Sequence, residues 1–168
     1  MDRRKHLRVN WRPVLLPVIS VAVIDEHLFT RECVATSLQR LGNNLKIASF
    51  AACRDCLQST NYHDVVLYHA HERLGHHGYD AQQLACFRKL LKVCPLIILS
   101  DFDYPELIFA AFESGATAFI PAATTSIKLV IEIIRLVQAG GTFVPRSTLP
   151  LREPNREVAV LRRSRFTH

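Results

Sequence analysis

With 168 residues, 49% hydrophobic and 21% charged, the chain has the balance of one globular domain with a sizeable core, which excludes disorder over most of its length and collagen-like or low-complexity chains. The formal net charge of +6 is unevenly placed: residues 1–13 set five basic side chains against Asp2, residues 146–168 set six arginines against Glu153 and Glu157, and the middle is mildly acidic. Basic tails suit nucleic acid or plain solvation, and no stretch reaches the roughly 18 apolar residues of a membrane span, so no membrane partner is expected.

The longest apolar run, Val14 to Ile24, follows Arg3, Arg4, Lys5 and Arg8 as in a signal peptide. Pro17 and Ser20 interrupt it, and it runs into Asp25-Glu26 with no small-residue cleavage site. A buried strand in a cytoplasmic protein is the expected reading.

Strand and helix patterns then alternate five times. Ser20 to Asp25 is a β-rich run ending in acids. Leu28, Phe29, Cys33, Val34, Leu38 and Leu41 recur at helical spacing until Gly42. Leu45 to Phe50 reads as a second strand and residues 52–59 as a short helix. Asp64 to His69 is a third strand, followed by a long loop with Gly75 and Gly78. Asp80 is placed to cap a helix carrying Leu84, Phe87, Leu90 and Leu91. Pro95 to Ser100 is the fourth strand. Asp103 and Glu106 have capping-box spacing, with Pro105 in the first turn and Gly115 as the stop. Thr117 to Pro121 is the fifth strand, and Ile127 to Ala139 the last helix, closed by Gly140-Gly141.

Five βα units with strands buried on both faces imply an open parallel sheet with helices on each side. Function in such sheets collects at the carboxyl ends of the strands. Those ends are Asp25-Glu26-His27, His69, Ser100-Asp101 and Pro121-Ala122.

The five cysteines are odd in number and lack an export signal, so reduced thiols are expected. Cys53-x-x-Cys56 has redox or zinc spacing, but it is a lone pair without a second such motif. On the last helix, Ile127, Val130, Ile131 and Ile134 form one apolar stripe and Leu129, Ile133 and Leu136 another, with Lys128, Glu132 and Arg135 between them. Packing on one sheet face needs one stripe. The second predicts a homodimer contact through Leu129, Ile133 and Leu136, with intramolecular burial as the alternative.

The segment Ile24 to Glu32 resembles the opening of a response-regulator receiver domain, more narrowly the LuxR/NarL type. Asp64 to His69, Leu99-Ser100, Ser114 to Ala122 and Ala139 to Pro145 resemble that family's later signature segments, in order and at matching spacing. The resemblance covers about residues 18–147 and implies a flavodoxin-like (CheY-like) sheet of five parallel strands. Residues 1–17 are then a basic N-terminal extension. Residues 148–168 are a linker, whose ending Phe166-Thr-His168 resembles the start of a LuxR-type helix-turn-helix domain not in this chain.

The resemblance implies phosphoryl transfer from a histidine kinase onto an Asp at the end of the third strand. Two acids hold Mg²⁺, a hydroxyl and a Lys bind the phosphoryl oxygens, and an aromatic residue serves as a switch. Asp25 and Glu26 match the acids, Ser100 the hydroxyl and Phe119 the switch position. The acceptor position holds His69, however, and the Lys position Ala122. His69 cannot form an acyl phosphate, imidazole is a poor Mg²⁺ ligand, and no fixed cation replaces the Lys. Asp64 lies about five residues of ~3.3 Å away, and Asp101 is on the wrong strand to substitute. The Asp25 to Thr30 loop is equally unsuited to the phosphate of FMN. The expected protein is a degenerate, phosphorylation-independent receiver with no cofactor and weak or absent Mg²⁺ binding. It is not an enzyme but the regulatory and dimerisation module of a DNA-binding transcription regulator. The alternative is a stand-alone adaptor binding a protein partner.

Five of the eight histidines fall between His63 and His77. His69 and His71 share a face if the strand continues, and His76-His77 follow in the loop. A solvated loop is the expected reading and no metal is expected. The other readings are a zinc or nickel site with Glu72 or Asp25, giving a metal- or pH-responsive sensor, and a protonated His69 paired with Asp25 or Glu26.

Overall fold

The computed structural model describes residues 17–71 and 78–148. The basic N-terminal extension up to residue 16, Glu72, His76 and His77, and the tail with Phe166-Thr-His168 lie outside the described residues.

The elements follow in chain order: β1 (Ile19–Ile24), α1 (Leu28–Leu41), β2 (Leu45–Phe50), α2 (Cys53–Gln58), β3 (Val65–Ala70), α3 (Ala81–Leu90), β4 (Leu96–Ser100), α4 (Pro105–Glu113), β5 (Ala118–Pro121), α5 (Ile127–Gln138) and a 3₁₀ turn (Arg146–Thr148). The strands form one parallel sheet in the order β2-β1-β3-β4-β5. This is the expected flavodoxin-like sheet.

Side chains alternate across each strand, so every strand feeds two cores. Val21, Val23, Leu67, Ile97 and Ile120 face α1 and α5, where Leu38, Val130, Ile134 and Val137 cover them. Ala22, Ile24, Val66, Ile98 and Phe119 face the other way, against Cys56, Phe87, Leu90, Ile108 and Ala111 of α2, α3 and α4. Burial on both faces explains why the strands read as continuous apolar runs.

Local chemistry sets the helix ends. Asp80 accepts from the Gln83 N–H at 2.7 Å, and the Gln83 side chain returns to the Asp80 N–H at 3.0 Å, a complete capping box. Ser126 caps α5 through the Leu129 N–H. Gly140, with φ +89°, ends α5 in a left-handed turn that a side chain would strain. The capping box expected of Asp103 and Glu106 does not form. Pro105 at the first helical position holds the preceding Tyr104 extended, so Tyr104 takes the cap position, and its side chain does not cap the helix.

Two further expectations are corrected. The expected reduced thiols are not all free: Cys53 of α2 is disulfide-bonded to Cys86 of α3, with Cα atoms 6.0 Å apart. Sequence spacing cannot show this pairing, because 33 residues separate the two. Cys33, Cys56 and Cys94 remain free.

Ile133 is only 2% exposed and belongs to the core beneath α5, so it cannot serve as a dimer contact. At 100° per residue, the buried Val130, Ile131, Ile133, Ile134 and Val137 occupy a single arc about 160° wide. The two apolar stripes therefore merge on the side away from Lys128, Glu132 and Arg135. Leu129 and Leu136 lie just past the arc's edge and are exposed at 44% and 43%.

Candidate functional site

Three strand ends build the site. Asp25 follows β1, His69 sits one residue before the end of β3, and Asp101 follows β4. The parallel register sets Ile24 beside Tyr68 and His69 beside Leu99, which brings these ends level. His69 and His71 project to one side, as alternate residues of an extended chain must, and their ring centroids are 3.9 Å apart.

The buried Asp25 carboxylate is fully engaged. Its Oδ1 accepts from the His27 backbone N–H at 2.8 Å and lies 2.8 Å from His71 Nε2. Its Oδ2 accepts from the Thr30 hydroxyl at 2.5 Å and lies 2.8 Å from His69 Nδ1. The other ring nitrogens meet Asp101: His69 Nε2 is 3.1 Å from its Oδ1, and His71 Nδ1 is 3.0 Å from its Oδ2. Each imidazole thus bridges the same two carboxylates. The His27 ring lies 4.0 Å from that of His71, and Arg31 Nη1 donates to the Asp25 backbone carbonyl at 2.6 Å.

Donor counting constrains what the cluster can hold. Ionised carboxylates only accept, so four nitrogen–oxygen contacts require four N–H donors, whereas two neutral imidazoles supply two. The deficit is met by added protons or by a cation that takes ring lone pairs.

The charge environment follows this geometry. Burial pushes the Asp25 carboxyl up, but hydrogen bonds from Thr30, His71, the His27 backbone and His69 outweigh it and hold the group below its ordinary value of 3.8. Burial likewise raises Asp101, and the hydrogen bonds and charges of His69 and His71 outweigh that, leaving it lowered. For His71, burial favours the neutral form, yet the hydrogen bonds and charges of Asp25 and Asp101 prevail and raise it above 6.5.

These directions fix how stability depends on pH in metal-free protein. The raised His71 contributes stability that is full below 6.5 and lost as pH rises through its folded pKa. The lowered Asp25 and Asp101 contribute stability that is present above 3.8 and lost as pH falls through their folded values. The melting temperature of chelator-treated protein is expected to fall as pH rises from below 6.5 through the raised folded pKa of His71, and to fall less in His71→Gln. An equal drop in both proteins would detach the effect from His71.

Of the expected site residues among the described ones, the structure gathers Asp25, His69 and His71 and places Glu26, Ser100, Phe119 and Ala122 outside their hydrogen-bonded ring. Ser100 is buried and its hydroxyl accepts from the Phe102 N–H at 3.3 Å. Glu26 is exposed at the lip of a cavity that Asp25, His69, His71, Cys53 and Cys86 also line. Phe119 is fully buried in the α3–α4 core. Ala122 donates its backbone N–H to the Ser100 carbonyl at 2.8 Å and brings no charge. Asp64 lies at the opposite edge, where it accepts from the Ser20 N–H at 2.8 Å.

Sequence reasoning assigned no role to Thr30 or Arg31, and it placed Asp101 at a strand end but weighed it there only as a phosphate acceptor. The signal for Asp101 was present: it follows the fourth strand, level with His69 and His71. The Mg²⁺ implied by the resemblance does not fit these residues. The third-strand position offers imidazole nitrogen where Mg²⁺ requires oxygen.

No family model matches the sequence, and no curated protein matches it. Solved structures do. A LuxR-family DNA-binding response regulator from Silicibacter pomeroyi superposes with a TM-score of 0.62 at 22% identity, over 77% of this chain and 99% of that one. The isolated receiver domain of RcsB from Salmonella enterica serovar Typhimurium, in the presence of a beryllofluoride phosphomimetic, gives 0.62 at 13% identity, over 78% and 96%. RcsB in complex with DNA gives 0.63 at 13% identity, over 78% of this chain and 65% of that one. Sheet order, helix placement and these superpositions agree: the chain has the fold of response-regulator receiver domains.

Proposed function

We propose that this domain is the regulatory module of a DNA-binding transcription regulator, and that it works in the cytoplasm without aspartyl phosphorylation. One observation carries the reading: where a receiver keeps its phosphoacceptor carboxylate, His69 is held between Asp25 and Asp101. Ala122 adds to it, because it stands uncharged where the receiver resemblance implies the lysine that would neutralise a phosphoryl group. The DNA-binding part rests on the likeness to the Silicibacter regulator and to RcsB bound to DNA, and on the arginine-rich tail. A homodimer joined through the exposed Leu129 and Leu136 of α5 belongs to the same proposal.

The test is intact-mass analysis after incubation with acetyl phosphate and Mg²⁺. No phosphate adduct is expected. A stoichiometric adduct that hydroxylamine removes would overturn the phosphorylation-independent reading. The runner-up, a stand-alone adaptor, is separated by the reading frame: a helix-turn-helix after His168 supports the regulator, and its absence there supports the adaptor.

A further inference from the structure

We propose that Asp25, His69 and His71 form a binding site for a divalent first-row transition ion, zinc above all, with Asp101 as the outer carboxylate that orients both histidines. The inference rests on the side-chain cluster itself and goes beyond the regulatory reading.

One Asp25 oxygen, one nitrogen of His69 and one of His71 lie within 4.8 Å of one another. The nitrogens nearest Asp25 are His69 Nδ1 and His71 Nε2, each 2.8 Å from a carboxylate oxygen. Ligands at about 2.0–2.1 Å from a tetrahedral ion stand about 3.3 Å apart, so on binding the 2.8 Å contacts, which go to different Asp25 oxygens, open by about half an ångström, and the longer separations, all within 4.8 Å, close.

The outer contacts allow a tautomer suited to binding. With the ring protons on His69 Nε2 and His71 Nδ1, which stand 3.1 and 3.0 Å from Asp101, the inner nitrogens present lone pairs to an ion. A metal-bound histidine ordinarily gives its second N–H to a carboxylate in this way. The donor deficit then disappears. Two neutral imidazoles give two N–H groups to Asp101 and two lone pairs to the ion, while the His27 N–H and the Thr30 hydroxyl hold the Asp25 carboxylate.

Nitrogen and oxygen donors select zinc, cobalt, nickel or iron over Mg²⁺ and Ca²⁺. Two histidines and one carboxylate leave at least one coordination position open. The adjoining cavity, with Glu26, Tyr68, Gln82 and Gln83 on its walls, gives water or a small anion access to that position. The ion thus takes the edge of the sheet where a receiver would carry its phosphoryl group.

The experiment uses the full 168-residue chain, stripped with chelator and titrated with Co²⁺. One equivalent is expected to saturate visible ligand-field bands, Zn²⁺ to bleach them and excess Mg²⁺ to leave them unchanged. Asp101→Asn, at an exposed position, is expected to weaken binding about 10–100-fold with an unaltered circular dichroism spectrum. His71→Ala is expected to abolish the bands, and the His76→Ala, His77→Ala double variant to keep them. Absence of the bands in the wild-type chain would overturn the proposal. So would their survival at full strength in Asp101→Asn, their loss in the double variant, or thiolate charge-transfer absorption placing the ion on cysteine.

Discussion

Ile133→Asp is expected to abolish the folded state. Ile133 is 2% exposed and packs in the core shared by β1, β3, β4, β5, α1 and α5. Removing its side chain alone costs about 2–4 kcal/mol, and an unpaired buried carboxylate adds several more. A domain of this size has roughly 5–15 kcal/mol to lose. Circular dichroism at 25 °C should show no cooperative melt. A melt within a few degrees of wild type would mean that Ile133 is not in the core. The double variant Leu129→Glu, Leu136→Glu is the contrasting case. Both residues are exposed, so the melt should survive while sedimentation shifts from dimer to monomer. An unchanged dimer would remove these two residues from the interface.

The second large effect is expected at Asp25. Alanine there strands the His27 N–H, the Thr30 hydroxyl and the facing nitrogens of His69 and His71. Removing one partner of a buried charge network costs about 3–5 kcal/mol. Asp101→Ala removes the same number of ring contacts from an exposed position and should cost less than about 1 kcal/mol, because water replaces it. Urea denaturation at neutral pH measures both. Equal losses would show that the cluster does not depend on the buried acid.

Most of the fold was legible because its signals are local. Apolar strand runs, Asp80, Pro105, Gly115 and Gly140 placed the elements, and the positions of the acids ordered the strand ends. What was not legible depends on neighbours in space. Ile133 reads as part of a second stripe until the whole arc of α5 is seen against the sheet. Leu28 and Phe29 fit the helical period of α1 yet are 59% and 78% exposed, because periodicity does not tell which end of a helix meets the sheet. The Cys53–Cys86 pairing joins two helices that no spacing rule connects. At the site, His69 and Ala122 were legible as the residues standing where the resemblance implies an acid and a lysine. The closing of a four-residue ring was not, because Asp101 and His71 come together only once β3 and β4 are in register.

The histidine–aspartate ring at the strand ends is tested most directly by NMR titration of the His71 imidazole in chelator-treated protein. Its Nε2 faces Asp25, its Nδ1 faces Asp101, and the rings of His27 and His69 lie against it. The ring predicts a midpoint above the ordinary 6.5, moving downward in Asp101→Asn. A midpoint at or below 6.5 that ignores Asp101 would contradict it.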